Sequence, residues 1–142
     1  MSDPNSADNI EARASQEDPL VMYLIIREDI NMSLGKSCAQ CAHASQMLLI
    51  KYTDAIINND ISILSEQHKI FGQWLQSSFR KVVLKADDKE WAKLKVECQN
   101  QMIIVRDAGF TELSPGTETV IGLFPMYKSQ APKVIKRLQI SR

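Results

Sequence analysis

The sequence has no long hydrophobic run and little cysteine or histidine, and each shortage excludes a class of protein. Its longest strongly apolar stretch, Leu20 to Ile26, has seven residues, whereas a membrane-spanning helix needs about 20. We therefore expect no membrane association. The two histidines exclude a histidine-rich metal site. Three cysteines, an odd number in a chain without an apolar leader, argue against a disulfide framework and for a reducing compartment such as the cytoplasm.

Several catalytic motifs are missing as well. The serine-hydrolase elbow G-x-S-x-G and the metalloprotease motif H-E-x-x-H do not occur. Gly35-Lys36-Ser37 is similar to the end of a phosphate-binding P-loop, but Ile30 stands where that motif requires its first glycine. A nucleoside triphosphatase is thereby excluded. A lysine in the first turn of a helix still predicts an anion site, because the amide groups there are exposed.

The composition is that of one globular domain with an uneven charge distribution. Hydrophobic residues make up 44% and charged residues 24% of the 142 residues, and the net charge is zero. Residues 1–20 contain five acids and one base, whereas the remaining 122 contain 16 bases and 12 acids. We interpret 1–19 as a disordered acidic tail and 20–142 as the folded domain. The basic carboxyl-terminal end attracts polyanions or is an ordinary solvated helix face.

Hydrophobic periodicity predicts alternating strands and helices. The predicted strands are Leu20–Arg27, Lys81–Lys85, Met102–Val105 and Thr119–Leu123. The predicted helices are Lys36–Tyr52, 61–77, a helix from Asp87-Asp88 to about Cys98, and Lys128–Leu138. This alternation predicts an α/β fold, a single-domain α/β/α sandwich in which helices flank a mixed four-stranded sheet.

Cys38 and Cys41 form a C-x-x-C motif at the start of the first predicted helix, where a thiolate is stabilised. A redox function is one interpretation of this motif. However, a second cysteine pair that would complete a zinc site is missing, and the neighbouring side chains are small. We therefore expect both cysteines to pack against the sheet as small apolar groups. His43 is expected to be partly buried and hydrogen-bonded, and His68 to be structural.

Ligands of α/β proteins bind at the loops that leave the carboxyl ends of strands. Three such loops carry polar residues here, at 31–36, 106–111 and 125–128. Taken individually, Asp107 is typical of a turn before Gly109, and Thr111 and Thr119 are ordinary loop and strand residues. A catalytic role for them depends on a wider pattern.

Two sequence blocks supply that pattern. The first contains Val21 to Arg27, Asp29 to Met32 and Gly35-Lys36-x-x-Ala39-Gln40-Cys41-x-His43-Ala44. The second contains Asp107-Ala108-Gly109-x-Thr111 and Pro115-Gly116-Thr117-x-Thr119-Val120-x-Gly122. Their order and separation, with Lys81–Lys85 between them, resemble the type 2 peptidyl-tRNA hydrolases of archaea and eukaryotes. The resemblance covers about residues 20 to 140.

The resemblance implies a homodimeric enzyme that hydrolyses the ester between a nascent peptide and the terminal ribose of tRNA, recycling peptidyl-tRNA from stalled ribosomes. It implies no cofactor, no metal and no DNA partner. The family's catalytic positions fall on Lys36, Asp107, Thr111 and Thr119. Substrate-binding positions are assigned to Gly35, Gln40, His43 and Gly109.

Hydrolysis of an activated ester needs a positioned water, a proton acceptor and donors for the developing oxyanion. Asp107 is expected to accept or orient the water, and Lys36 to stabilise negative charge on the carbonyl oxygen or the terminal phosphates. The threonines are expected to order the water or hold Asp107. An aspartate with an ordinary pKa of about 3.9 is a poor base at neutral pH, which favours the orienting role.

The sequence departs from the family pattern beside this site. Leu34 and Phe110 stand where the family usually has basic residues, and Leu123 to Tyr127 is bulkier than the family's glycine-rich segment. Because phosphate contacts dominate nucleic-acid affinity, we expect these departures to affect tRNA binding more than chemistry.

Three further cations are expected to compensate by binding substrate: Arg106, Lys128 and Lys133. The main alternative function is a catalytically weakened family member that binds RNA or protein. A third interpretation, an oxidoreductase, depends on Cys38 and Cys41 alone.

Overall fold

The fold combines four helices with six strands in the part of the chain that the structure describes. The computed structural model describes residues 17–58, 66–110 and 112–142. Its helices are α1 (Leu34–Ile57), α2 (Glu66–Leu75), α3 (Asp88–Glu97) and α4 (Lys133–Lys136), and a 3-10 turn covers Lys128–Gln130. Its strands are β1 (Leu20–Arg27), β2 (Lys81–Ala86), β3 (Met102–Arg106), β4 (Glu118–Leu123), β5 (Met126–Tyr127) and β6 (Gln139–Ile140).

The sheet has the strand order β3-β4-β1-β2-β6, and β5 pairs with the start of β1. Strands β1 and β2 are parallel, and the other pairs are antiparallel. The described residues therefore form a mixed sheet of six strands, and the predicted number of four is wrong. Strands β5 and β6 have two residues each, which is too short for the alternating pattern that reveals a strand in sequence.

The predicted helix Lys128–Leu138 is also wrong, because the structure divides it. Pro132 lies in its middle, and proline has no amide hydrogen to continue a helix. The chain instead forms the 3-10 turn, begins α4 after Pro132 and ends in β6, which pairs with Leu84 and Lys85 of β2.

Helices cover both faces of the sheet. Helices α1 and α2 pack on one face, in a core that includes Phe71 and Val120. Helices α3 and α4 pack on the other, in a core that includes Leu94 and Ile135. This arrangement confirms the predicted α/β/α sandwich. Within the described part of the chain, no helix combines the length and apolarity that crossing a membrane requires.

The other predicted elements agree closely with the structure. Strands β1 to β4 begin and end within one residue of their predicted bounds, and α1 extends beyond its prediction at both ends. Helix α2 lies within the predicted helix 61–77, of which positions 61–65 lie outside the described residues.

One stripe of α1 faces the sheet, because residues four apart share a helix face. Gln40, Ala44 and Leu48 on this stripe are buried. A Cβ placed on Gly122 of β4 would lie 3.3 Å from the Ala44 Cβ, so the helix approaches the strand closely here. Cys38 lies on the exposed side of α1, and the expected packing against the sheet is therefore wrong for Cys38.

The start of the domain contacts the carboxyl-terminal region. The Asp18 carboxylate accepts hydrogen bonds from the Ser129 amide at 2.8 Å and from the Ser129 hydroxyl at 2.6 Å. The Pro19 carbonyl accepts a hydrogen bond from the Lys128 amide at 2.9 Å. Two residues assigned to the acidic tail thus contact the domain, while positions 1–16 lie outside the described residues.

Candidate active site

The candidate site lies at one edge of the sheet, where the loops after β1 and β3 meet. Both strands are antiparallel to β4, so their carboxyl ends share this edge. Ser33 caps the amino terminus of α1, and its Oγ accepts a hydrogen bond from the Lys36 amide at 3.2 Å. A capping hydroxyl satisfies one of the free amides of the first helical turn. The cap therefore fixes the backbone from which the Lys36 side chain extends.

A buried ion pair forms the centre of the site. The Lys36 Nζ donates a hydrogen bond to Oδ1 of Asp107, which directly follows β3. The Lys36 and Asp107 side chains are 13% and 3% exposed. Removing two charges from water is costly unless they are paired and hydrogen-bonded, so either charge would destabilise the fold if the other were removed.

The loop after β3 holds the Asp107 carboxylate in place. Its Oδ2 accepts a hydrogen bond from the Gly109 amide at 2.9 Å. Gly109 has a φ of 84°, and a Cβ there would lie 2.4 Å from Cγ of Pro115. Only glycine fits this position, both sterically and conformationally. The loop is closed by two backbone hydrogen bonds of 2.8 Å, from Asp107 to Thr117 and from Gly116 to Asp107.

The same contacts explain the ionisation of the carboxylate. The hydrogen bond from Lys36 holds the pKa of Asp107 below its ordinary value of 3.8, and the Gly109 amide and the lysine charge lower it further. Burial opposes them by raising the pKa, but the lowering contacts prevail. Asp107 is therefore a carboxylate at neutral pH and a weaker base than an exposed aspartate.

A β-bulge turns Thr119 towards α1. Val105 pairs with Val120 and Arg106 pairs with Glu118, so Thr119 is an extra residue between two pairs. Bulges of this kind redirect a side chain and are common beside active sites. The fully buried Thr119 hydroxyl accepts a hydrogen bond from Nε2 of Gln40 at 2.9 Å and donates one to the Val105 carbonyl at 3.2 Å. Gln40 follows Lys36 by one helical turn, so both side chains line the site from α1.

Sequence reasoning missed a second link between the two loops. The Glu112 carboxylate accepts hydrogen bonds from the Ser33 hydroxyl at 2.6 Å and from the Ser33 amide at 3.0 Å. These hydrogen bonds lower the pKa of Glu112. A helix-capping serine is visible in sequence, but its acidic partner lies 79 positions away and gives no local signal.

Arg106 directly precedes Asp107 in the chain and forms an ion pair with Glu118. Its guanidinium is 3.3 Å from Oε2 of Glu118, whose carboxylate also accepts hydrogen bonds from Lys95 and Trp91. Burial raises the pKa of Glu118, but the hydrogen bonds from Lys95 and Trp91 and the neighbouring positive charges together lower it below its ordinary value. The Arg106 side chain remains 58% exposed, so the guanidinium is reachable from solvent.

The structure brings together only some of the predicted site residues. Gly35 lies in the first turn of α1, and His43 is exposed two turns beyond Lys36, so the expected burial of His43 is wrong. Thr111 lies outside the described residues. Lys128 follows β5, which pairs with the first residues of β1, at the end of that strand opposite the site. Lys133 is exposed on α4, a helix that packs on the face of the sheet opposite α1.

Two exposed apolar side chains flank the site. Leu34, the first residue of α1, is 82% exposed, and Phe110, in the loop after β3, is 90% exposed. Neither contributes to a core, so their side chains are available to a bound molecule. Phe124, from the bulkier segment after β4, instead packs edge-on against Phe71 at 5.9 Å, far from the site.

The cysteines have the properties of free thiols. Cys38 is exposed, Cys41 is half-buried and Cys98 is buried. Burial, with a contribution from Cys38, raises the pKa of the Cys41 thiol to about 11. A thiol with such a pKa is protonated and unreactive at neutral pH, which argues against the oxidoreductase interpretation.

A cavity lies away from this site, on the side of the carboxyl-terminal half of α1. It has a volume of about 360 Å³ and is lined by residues of the carboxyl-terminal half of α1 and by His68 and Phe71 of α2. None of the described site residues lines it. His68 stacks on Tyr52 with a ring separation of 4.2 Å, as expected for a structural histidine.

A layered α/β fold with a buried lysine–carboxylate pair at the carboxyl edge of its sheet is typical of an α/β enzyme with a charged centre. Comparison with known proteins identifies the family. A family model described as peptidyl-tRNA hydrolase PTH2 matches residues 20–141.

Archaeal proteins named peptidyl-tRNA hydrolase are similar over most of their length. A protein of Saccharolobus islandicus is 39% identical over 108 residues, which is 73% of this chain and 84% of the relative. A protein of Thermoplasma volcanium is 32% identical over 111 residues, covering 75% of this chain and 86% of the relative. One of Thermoplasma acidophilum is 32% identical over 123 residues, covering 84% and 96%. The chain therefore belongs to the peptidyl-tRNA hydrolase PTH2 family, which confirms the resemblance.

Proposed function

We propose that this protein hydrolyses the ester bond between a peptide, or an N-blocked amino acid, and the terminal ribose of tRNA. The observation that carries the proposal is the buried Lys36–Asp107 pair, which lies at the two motif positions of a chain that belongs to this family. The comparisons favour a hydrolase and give no support to the alternative of a binding module without activity.

In the proposed reaction, water attacks the ester carbonyl carbon and an oxyanion develops on the carbonyl oxygen. The Lys36 ammonium stabilises this negative charge, since an oriented cation in a partly buried site acts more strongly than one in water. The carbon–oxygen bond to the ribose then breaks, and the leaving ribose oxygen takes up a proton from the attacking water. The products are tRNA with a free hydroxyl group and a peptide with a free carboxyl group.

Asp107 has an orienting role in this scheme. Its lowered pKa makes it a weak proton acceptor, but its carboxylate accepts a hydrogen bond from the Lys36 ammonium and so orients it. The Thr119 hydroxyl donates to the Val105 carbonyl, so we assign it to positioning Gln40 and the end of β3 rather than to holding water. Thr111 is proposed as the fourth catalytic position on the motif alone.

For substrate binding we propose two groups of residues. Gly35 and Gly109 shape the loops at the site, and Gln40, His43 and Arg106 line it or lie beside it. Lys128 and Lys133 are proposed to contact tRNA phosphates farther away. The reaction needs no cofactor or metal in this scheme.

The proposal extends to the assembly and location of the protein. We propose a homodimer, since the family resemblance implies one and α1 exposes apolar side chains at Leu49, Ile56 and Ile57. Sedimentation of the purified chain tests this, with a dimer mass expected. We also propose a cytoplasmic enzyme that recycles peptidyl-tRNA from stalled ribosomes, in keeping with its three free cysteines.

The decisive experiment measures release of free tRNA from diacetyl-lysyl-tRNA. Lys36→Ala and Asp107→Ala are each expected to lower kcat by a factor on the order of 10² or more, because each removes a charge directed at the reacting centre. Val96→Ala, an exposed site on α3, is the matched control with unchanged turnover.

Folding must be measured in parallel, because removing one partner of an ion pair that is largely shielded from water leaves the other charge uncompensated. Asp107→Asn, which keeps the shape of the side chain, should retain the melting temperature better than Asp107→Ala while losing turnover equally. Near wild-type turnover in the folded variants contradicts the assigned roles. Binding of tRNA by the parent protein without any release supports the binding module instead.

A further inference from the structure

A groove with a volume of about 420 Å³ runs between α1 and β3. This volume lies within the range of small-ligand sites, about 300–1,000 Å³. Met47 and Ile50 of α1 and Val105 of β3 form its apolar floor, and Ile104 borders it although the Ile104 side chain packs against the core on the other face of the sheet. Met47 and Ile50 are 37% and 53% exposed, so the floor is open to a ligand rather than closed in the core.

The groove begins next to the candidate active site. Arg106, which lines one end of it, directly precedes Asp107, and His43, which also lines it, follows Lys36 by two helical turns. A chain attached to the reacting ester carbonyl at the Lys36–Asp107 pair can therefore enter the groove and extend away along β3.

The strand beside the groove is at the edge of the sheet. Among the described residues, β3 pairs with β4 on one side only. The other edge of an outermost strand carries backbone amide and carbonyl groups that can bind an added strand. Extended peptides bind to such edges through main-chain hydrogen bonds, with side chains in adjacent pockets.

We infer that this groove binds the peptide part of the substrate, extended along the free edge of β3. The inference rests on the proposed function and adds the recognition of the acyl chain. Peptidyl-tRNAs carry peptides of any sequence, so recognition must use what all peptides share. Main-chain hydrogen bonds to β3 and a flat apolar floor meet this requirement, whereas a deep pocket for one side chain does not.

The groups around the floor suit a peptide backbone. His43 and Arg106, whose guanidinium also pairs with Glu118, border the end of the groove nearest Asp107, where the carbonyl groups closest to the ester would lie. The apolar floor along Met47 and Ile50 then accepts side chains that alternate along an extended peptide.

The test compares two substrates on the same tRNA, one with an N-acetylated single amino acid and one with an N-acetylated tetrapeptide ending in that amino acid. For the parent protein, kcat/KM should be at least about tenfold higher with the tetrapeptide, through a lower KM at similar kcat. Methylating the backbone nitrogens of the tetrapeptide should remove most of this gain, because methylation blocks main-chain hydrogen bonds.

Ile50→Lys and Met47→Lys introduce a charge on the floor at exposed positions, so both variants should fold. Their ratio of kcat/KM between the two substrates should fall to about one. Val96→Lys is the control for an added surface charge and should keep the tenfold ratio, since Val96 is 71% exposed on α3, across the sheet from the groove.

Three results overturn the inference. Equal kcat/KM of the parent for both substrates does so while leaving the proposed hydrolysis intact, and so does an undiminished ratio in Ile50→Lys. Conversion of a dimer to a monomer by Ile50→Lys assigns the groove to a second copy of the chain instead. Failure of the proposed function is distinguishable, because it appears as no turnover of either substrate.

Discussion

At the scale of single residues, the central feature of the site is the ion pair between Lys36 and Asp107. Each would be costly to bury alone, and together they form a charged centre that is almost closed to water. The lowered pKa of Asp107 is a consequence of this pairing, with the hydrogen bond from Lys36 as its largest cause. A group of this kind orients other groups better than it removes protons.

The pKa of Asp107 leads to a prediction about the pH dependence of turnover. Because this pKa lies below the ordinary 3.8, the carboxylate stays ionised throughout the range in which the enzyme is assayed. Between about pH 5 and 8, kcat for a minimal N-blocked aminoacyl-adenosine ester should therefore show no loss on the acid side from Asp107. An acid inflection near pH 6 that disappears in Asp107→Asn would contradict the orienting role.

The same shift predicts how stability changes with pH. A carboxylate whose pKa is lower in the folded state stabilises the fold fully above its unfolded value, near 3.8. This contribution is lost as pH falls through the lower folded value. The difference in free energy of unfolding between the parent and Asp107→Asn should thus be constant near neutrality and shrink below pH 3.8. Urea unfolding at several pH values measures it, and a difference that grows in acid would refute the direction of the shift.

Phe110 offers a residue-scale test of the missing charges. Its side chain is 90% exposed, so Phe110→Arg should cost no packing and should add a cation beside the site. One further phosphate contact should steepen the slope of log affinity for tRNA against log salt by about 0.7 to 0.9. Val96→Arg adds the same charge on α3 and should leave the slope unchanged. Equal slopes in the parent and Phe110→Arg would place the tRNA away from this loop.

At the scale of elements, the geometry of the site follows from where α1 meets β4. The stripe of α1 that faces the sheet is polar at Lys36 and Gln40 and apolar at Ala44 and Leu48. The apolar half anchors the helix on Gly122, and the bulge at Thr119 supplies a partner for the polar half. One extra residue in β4 therefore determines which groups line the site.

This contact predicts the effect of a larger side chain at Gly122. A Cβ there would lie 3.0 Å from Cδ1 of Leu48 and 3.3 Å from the Ala44 Cβ, and both neighbours are fully buried. Gly122→Val should lower the free energy of unfolding by about 1–3 kcal/mol, because α1 must move outward. Chemical denaturation measures the change.

The control is Gly35→Ala, in the first turn of α1 itself, where an added Cβ meets no steric conflict. No atom lies within 4 Å of a Cβ at Gly35, and alanine favours a helix over glycine by up to about 1 kcal/mol. Gly35→Ala should therefore raise the free energy of unfolding. An unchanged or increased stability of Gly122→Val would show that α1 is not held by close contact with β4.

At the scale of the whole molecule, the cations expected to bind tRNA are spread over the surface. Arg106 lies beside the reacting pair, whereas Lys128 lies at the opposite end of β1. Strand β1 has eight residues, which corresponds to roughly 23 Å at about 3.3 Å per residue. A nucleic acid that reaches both ends must therefore run along the domain rather than touch it at one point.

This spread predicts separable effects on binding and chemistry. Lys128→Ala combined with Lys133→Ala should weaken tRNA binding and make the salt slope shallower by about one to two units, since up to two phosphate contacts are lost. Hydrolysis of the minimal aminoacyl-adenosine ester should be unchanged, because that substrate has no tRNA body. If the double variant binds tRNA as tightly as the parent at every salt concentration, the carboxyl-terminal region is a solvated surface.

The sequence by itself determined the main strands, the long first helix, the α/β/α class and the family. These features depend on local hydrophobic periodicity and on motif residues that lie close together in the chain. Lys36 and Asp107 were identified in this way, because two short motifs occur in order. The exposed side of α1 was harder to assign, since small residues such as Cys38 and Ala42 suit either side of a helix.

Only the tertiary structure decided how the site is completed. The Gln40–Thr119 and Ser33–Glu112 hydrogen bonds each join residues 79 positions apart, and the register shift that exposes Thr119 to α1 exists only once β3 and β4 pair. Strand β6 likewise forms only where the edge of β2 pairs with it. Such contacts leave no periodic signal in the chain, since their energy comes from partners that only folding brings together.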